Sequence, residues 1–211
     1  MTVPGRVEAA ALLLSLDPPP WLLRHSRAVA EVAGWLAART AARGVRVNRR
    51  LVESAALLHD ADKALPPDDP ARGLPHGEGS AVWLARAGHP ELASAVADHP
   101  VTRLLDEEAF ARLVSDASSE ARIVAYADKR AGQRLESLDA RFVSWRRRYP
   151  PGSRGAWTEA DLAGARARAG RLEVDVCRAA GVEPTAVGRL RWTGPAMRAA
   201  RVRGAMTGRA T

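Results

Sequence analysis

The 211-residue sequence predicts an all-α protein. Three observations carry this expectation. Apolar residues recur at helical spacing in several separate runs, no segment alternates as a half-buried strand does, and Gly and Pro stand mostly between the runs. Alanine and arginine dominate and aromatics are few, as in a soluble, mainly helical chain. The length suffices for one domain with a substantial core, or for one domain plus an appendage.

Taken in order, Arg6 to Leu16 is a short amphipathic helix, closed by Asp17 and three prolines. From Trp21 to about Arg43 the positions Trp21, Ala28, Val29, Val32, Ala33, Leu36 and Ala37 keep helical period, and Gly44 follows as the terminating residue. Asn48 caps a helix from Arg49 to about Lys63. A loop rich in turn formers, Pro66 to Pro75, leads to His76-Gly77 and a helix carrying Val82, Trp83 and Leu84 that closes at Gly88. His89-Pro90 opens a helix from Glu91 to Asp98, stopped by His99-Pro100. A broken region, Val101 to Ser118, precedes a long helix expected from Ser118-Ser119 to about Arg148, ended by Pro150-Pro151. Thr158 with Asp161 announces a last helix that ends near Gly181. After Trp192 the chain is Arg, Ala and Gly without apolar period, which predicts disorder.

The single cysteine, Cys177, excludes an internal disulfide and a cysteine-based zinc site, and reads as a small buried apolar residue. The longest N-terminal apolar run, Ala9 to Leu14, is too short to span a membrane and lacks a signal-peptide pattern, so a cytoplasmic protein without membrane contact is expected. The net charge of +8 is unevenly spread. Residues 1–140 carry 17 Lys+Arg against 19 Asp+Glu, a net −2, while residues 141–211 carry 15 against 5, a net +10. Such asymmetry can mark a weak contact with nucleic acid or another polyanion. A solvated, arginine-coated helix with a loose tail gives the same count.

The chemistry gathers around Leu57-Leu58-His59-Asp60-Ala61-Asp62-Lys63. A neutral imidazole beside a carboxylate suits a borderline divalent metal such as Mn, Fe, Co or Zn. His59 and Lys63 share a face if the helix runs on, which aims an ammonium at whatever anion the metal holds. Further candidate donors, in order, are His25, His76, His99 and Asp128, each at a helix end or in an otherwise apolar helix. Asp128 lies in Ile123-Val124-Ala125-Tyr126-Ala127, where an unpaired carboxylate is costly.

The order His25, His59-Asp60, Asp128 resembles the HD superfamily of metal-dependent phosphohydrolases, and Tyr126-Ala127-Asp128-Lys129 is similar to that family's second motif. The resemblance covers roughly residues 20–148 and implies an HD-type helical bundle, set at 1–150, while the residues beyond it read as a C-terminal accessory helix at 151–192 and a basic tail at 193–211. His76 and His99 match the extra ligands of the subgroup that binds two metals. Carried over by position, Asp60 bridges two ions, His25, His59 and Asp128 complete one site, and His76 and His99 the other. His89 has no counterpart and reads as a helix-start or surface residue. Asp62 stands where the family commonly has Gly.

The resemblance further implies two divalent ions, drawn from Fe, Mn, Co, Ni or Zn before Mg alone, that acidify a water to hydroxide for attack on a phosphoryl group. Asp60 and Lys63 are the expected catalytic pair. Lys63, Lys129, Arg130 and Arg134 are the expected phosphate contacts. The chain has 30 arginines and only two lysines, and both lysines fall within a turn of a proposed ligand. The expected substrate is a phosphorylated small molecule or nucleotide, and in size and ligand pattern the chain is similar to stand-alone bacterial HD hydrolases of dinucleoside polyphosphates. Two alternatives stand beside this reading: a di-iron oxygenase on the same ligand set, and a non-catalytic scaffold that binds polyanions through its arginine-rich C-terminal third.

Overall fold

Ten α-helices and no strand occur among residues 3–150 and 157–207, the residues that the computed structural model describes. In chain order they are α1 (Arg6–Ser15), α2 (Pro20–Ala42), α3 (Arg49–Leu58), α4 (Glu78–Arg86), α5 (Pro90–Ala97), α6 (Glu107–Ser115), α7 (Ser119–Arg130), α8 (Leu138–Arg148), α9 (Glu159–Ala180) and α10 (Thr193–Thr207). The spine is α2, whose Val29, Val32, Ala33 and Leu36 are fully buried against α3, α7 and α9. Alanines at the helix contacts let the axes approach closely, while Leu57, Leu58, Leu92, Val96, Val124 and Tyr126 fill the core between α3, α5 and α7.

Several starts follow the capping chemistry legible in the sequence. Asn48 Oδ1 accepts from Leu51 N–H at 3.1 Å. Thr158 and Asp161 form a reciprocal pair, at 3.1 Å from Asp161 N–H to Thr158 Oγ1 and 2.9 Å from Thr158 N–H to Asp161 Oδ2. Within the expected broken region, Asp106 caps α6 by accepting from Ala109 N–H at 3.0 Å.

Three expectations are corrected. The helix expected from Ser118 to Arg148 is two helices, divided at Ala131–Ser137. Glu136 N–H donates to Arg130 O at 2.7 Å, an isolated bridge pairs Ala131 with Leu135, and Ser137 caps α8 through Ala140 N–H at 3.2 Å. The helix expected to reach Lys63 stops at Leu58, and Lys63 lies on a separate 3₁₀ turn, Ala61–Ala64. Thr193–Thr207, in the stretch expected to be disordered, forms α10, which lays Ala196, Met197 and Ala200 against α1. Its apolar face is built of alanines too small to show as a period, and docking on Ala9, Ala10 and Leu13 supplies the burial. Residues 151–156, at the expected domain junction, and 208–211 of the expected tail lie outside the described residues.

The junction before α10 is tied to the spine. Trp192 Nε1–H donates to Ala30 O at 3.2 Å, and Thr193 Oγ1–H to Glu31 Oε1 at 2.6 Å. Arg6 stacks over the Trp192 ring and pairs with Glu53 at 2.6 Å, so α1, α3 and α10 share one fastening. Deleting residues 193–211 is therefore expected to cost about 3–5 kcal/mol, from lost apolar burial and the lost hydrogen bond to the buried Glu31 carboxylate. A thermal melt checks it: the midpoint should fall by roughly 10 °C, and a midpoint unchanged within 2 °C or so would make α10 an ornament.

Candidate metal centre

Four histidines and two carboxylates meet at one place, and each ring is held by its Nδ1. His59 follows the last residue of α3 and donates Nδ1–H to Ala56 O at 2.8 Å. His99 follows α5 and donates to Val96 O at 2.6 Å. His25, in the second turn of α2, donates to Gly132 O at 2.7 Å, across 107 residues of chain. His76, just before α4, donates to Asp62 Oδ2 at 2.7 Å. Gly77 makes that approach possible, with φ +89° and no room for a Cβ, which would stand 2.6 Å from Ala97 O. A carbonyl or carboxylate at Nδ1 fixes the tautomer, and the lone pair of each ring is left on Nε2.

All four Nε2 atoms converge on Asp60, which is fully buried. His25 Nε2 is 3.3 Å from Asp60 Oδ2 and 3.3 Å from Asp128 Oδ1, with His59 Nε2 3.7 Å from the same Asp128 oxygen. On the other side, His76 Nε2 and His99 Nε2 are 3.2 and 3.3 Å from Asp60 Oδ1. The pairs His25–His59 and His76–His99 bring Nε2 atoms within 3.2 Å of each other. Lone pairs facing at that range repel unless a cation or proton lies between them. Asp60 Oδ1 is also a buried acceptor with no hydrogen-bond partner. The donor set thus fits a divalent cation, and imidazoles with carboxylates suit a borderline metal. Donor atoms of His25, His59 and Asp128 lie within 4.8 Å of one another, as do those of His59, Asp60 and His99, and those of Asp60, Asp62 and His76. Asp62 has another duty. It accepts from His76 and from Ser80 Oγ–H at 3.0 Å, so it orients the His76 ring, which accounts for the carboxylate in place of Gly.

Electrostatics follow from this crowding. Burial alone would raise the carboxyls of Asp60 and Asp128, but His59 and Lys63 around the first and Lys129 and His25 around the second outweigh it, holding both well below the usual range. Burial opposes a charge on His25, yet hydrogen bonds to Asp128 and Asp60 win and lift it to about 9. Burial dominates at His99 and lowers it to about 4. Near neutrality the metal-free cluster therefore keeps a second proton, at Nε2, on His25 and leaves His99 Nε2 bare. Metal must displace that proton, so apparent affinity should rise by about tenfold per pH unit between pH 6 and 8, with about one proton released. Calorimetric titration with Mn²⁺ in buffers of different ionisation enthalpy checks this, and a pH-independent affinity contradicts it.

Of the four expected phosphate contacts, two are placed elsewhere. Lys129 is 1% exposed and donates to His99 O and, at 3.0 Å, to Asp128 Oδ2, so it braces His99 and Asp128 from behind. Arg130 is buried and bonds Tyr126 OH, Glu173, Pro184 O and Glu136 O, fastening α7 to α9. Lys63 and Arg134 do line the cavity above the cluster, a space of about 740 Å³. Lys63 Nζ is 2.7 Å from Asp60 Oδ2 with its side chain 37% exposed. His89 stands at the start of α5, its Nδ1 3.9 Å from Glu91, and takes no place among the donors. Sequence reasoning missed Gly132, whose carbonyl sets His25, and Arg141, which lines the cavity from α8.

No curated protein and no solved structure matches the chain. The family model of the HD domain matches residues 22–132, just over half of the chain, and this span contains all six donors. With helices alone building the site and the His, His-Asp, Asp order converging on one cluster, the chain belongs to the HD-domain family, whose members are typically metal-dependent phosphohydrolases.

Proposed function

We propose that the protein is a metal-dependent hydrolase of phosphate ester or anhydride bonds, acting on a nucleotide or dinucleoside polyphosphate. The observation that carries this reading is the set of four pinned imidazoles aimed at Asp60, beside the ammonium of Lys63, in the floor of an arginine-lined cavity. His25, His59 and Asp128 would hold one divalent ion, His76 and His99 a second, and Asp60 would serve both, with Fe, Mn, Co, Ni or Zn preferred. Cations bound there acidify water and neutralise phosphoryl oxygens. The chain's own part is to fix ligand geometry through Gly132, Ala56, Val96 and Asp62, to brace Asp128 through Lys129, and to bring Lys63 against a phosphoryl oxygen. The same donors serve a di-iron oxygenase, but the cavity's cations, Lys63, Arg134, Arg141 and Arg148, favour a phosphate.

The nucleic-acid contact suggested by composition has less free charge to work with than the count implies. Arg146 pairs with Glu159 and Arg166 with Asp139, both at 2.8 Å, and Arg168 donates to Leu104 O. No helix among the described residues is long and apolar enough to cross a membrane.

The test is metal analysis of freshly purified protein, followed by a hydrolysis screen over nucleotides and dinucleoside polyphosphates. His99→Ala should lower bound metal from about two per chain towards one, by the logic of paired sites, and remove most activity. A wild type with one ion, untouched by His99→Ala, would reduce the site to His25, His59, Asp60 and Asp128. Oxygen-dependent turnover without phosphate release would overturn the hydrolase reading itself.

A further inference from the structure

One stripe of α8 faces the cavity: Arg141, Ser144, Trp145 and Arg148, at helical spacings of three, four and seven. Arg141 is the member with a buried nitrogen that the described residues leave unsatisfied. It is 9% exposed, and its Nε is buried without a hydrogen-bond partner. Its guanidinium lies 4.7 Å from the Trp145 ring centroid, a contact that fixes its plane without neutralising it.

The other buried cations are treated differently. Lys129 has Asp128 at 3.0 Å and Arg130 has Glu173 at 3.0 Å, whereas no carboxylate pairs with Arg141 among the described residues. Glu136 is near, but it pairs with Arg134 at 3.7 Å. A guanidinium cannot shed its proton, and a buried unpaired charge is expensive, so this position calls for an anion from outside.

Its location says which anion. Arg141 Nη1 lies against Gly132, where a Cβ would come within 3.1 Å of it, and Gly132 O is the acceptor that holds His25. Lys63 reaches the cluster at Asp60, while Arg141 reaches it at the anchor of His25. The two cations therefore address different groups of one ligand. We propose that Arg141, held flat by Trp145 and helped by Arg148, anchors a second phosphate beside the one at the metal centre. The cavity then selects ligands with at least two linked phosphates over monophosphates. The inference rests on the hydrolase reading for the first phosphate only.

The experiment is calorimetric binding of AMP and of α,β-methylene-ADP, which share a base and differ by one phosphate, to the Mn²⁺-loaded protein. The wild type should bind α,β-methylene-ADP at least about tenfold more tightly, the worth of one charge-assisted contact. Arg141→Met should weaken it by about 10–100-fold and AMP by less than about threefold, with metal content and thermal midpoint retained. Arg141→Lys should recover part of the loss. Because Arg141→Met removes a buried side chain, the exposed Arg148→Met gives an independent arm, and it should weaken α,β-methylene-ADP alone. Equal binding of the two probes by the wild type, or equal weakening of both in the variants, overturns the proposal. If no phosphate compound is turned over while the Arg141-dependent preference persists, the hydrolase reading fails and the second phosphate site stands. Turnover of a phosphate compound without that preference removes the second site and leaves the hydrolase reading intact.

Discussion

Asp60→Ala is expected to empty the donor cluster and abolish turnover together. One oxygen of Asp60 lies within 3.3 Å of His25 Nε2 and 2.7 Å of Lys63 Nζ, and the other is 3.2 and 3.3 Å from His76 and His99. Removing the carboxylate takes a donor from both halves and leaves cations facing imidazoles with too little negative charge. Loss of a residue that only orients a ligand typically costs 10–100-fold in metal affinity, so loss of Asp60, the proposed shared ligand, should exceed about 100-fold. The fold should persist, because Val52, Leu57 and Leu58 hold α3 in the hydrophobic core. Metal analysis with a melt on the same sample separates the two effects. An Asp60→Ala protein that keeps wild-type metal would remove the bridge from the scheme.

Lys63→Met should leave metal content intact and lower kcat/KM by about 10²–10³, as for loss of one oxyanion donor. The ammonium is partly exposed to the cavity and hydrogen-bonds Asp60, which leaves two of its protons for a phosphoryl oxygen. Because it sits on a 3₁₀ turn and not on α3, its reach is short and its aim is set by Asp60. Lys63→Arg should recover only part of the rate, since a planar fork cannot occupy the same point. Unchanged kinetics in Lys63→Met would take this residue out of the mechanism.

Much of the centre was legible in the sequence because its donors sit where helices end. His59 and His99 follow helices, His76 stands just before one, and His25 and Asp128 interrupt apolar faces. What was not legible depended on which way a helix turns. Lys129 and Arg130 follow Asp128 directly, and only the packing of α7 on α5 and α9 shows that both are buried. The break at Ala131–Ser137 hid because helix formers stand on both sides of it, although Gly132 and Ser137 were its signals. Arg141 looked like one more arginine in an arginine-rich stretch. The tail misled because alanine stripes dock as well as leucine stripes when the partner helix is also small-faced.

The four Nδ1 anchors also divide the site by the order in which it can assemble. Ala56 and Val96 stand three residues before His59 and His99, so those rings are aimed as soon as α3 and α5 have formed their last turns. His25 waits for a carbonyl 107 residues along the chain, which exists in place only once the α7–α8 turn has docked on α2. A nascent or refolding chain therefore carries two imidazoles pre-set by local structure and gains its full grip on metal late, from a contact of high sequence separation. Metal added early should find a weak two-histidine site, and tight uptake should track docking of the α7–α8 turn, not helix formation.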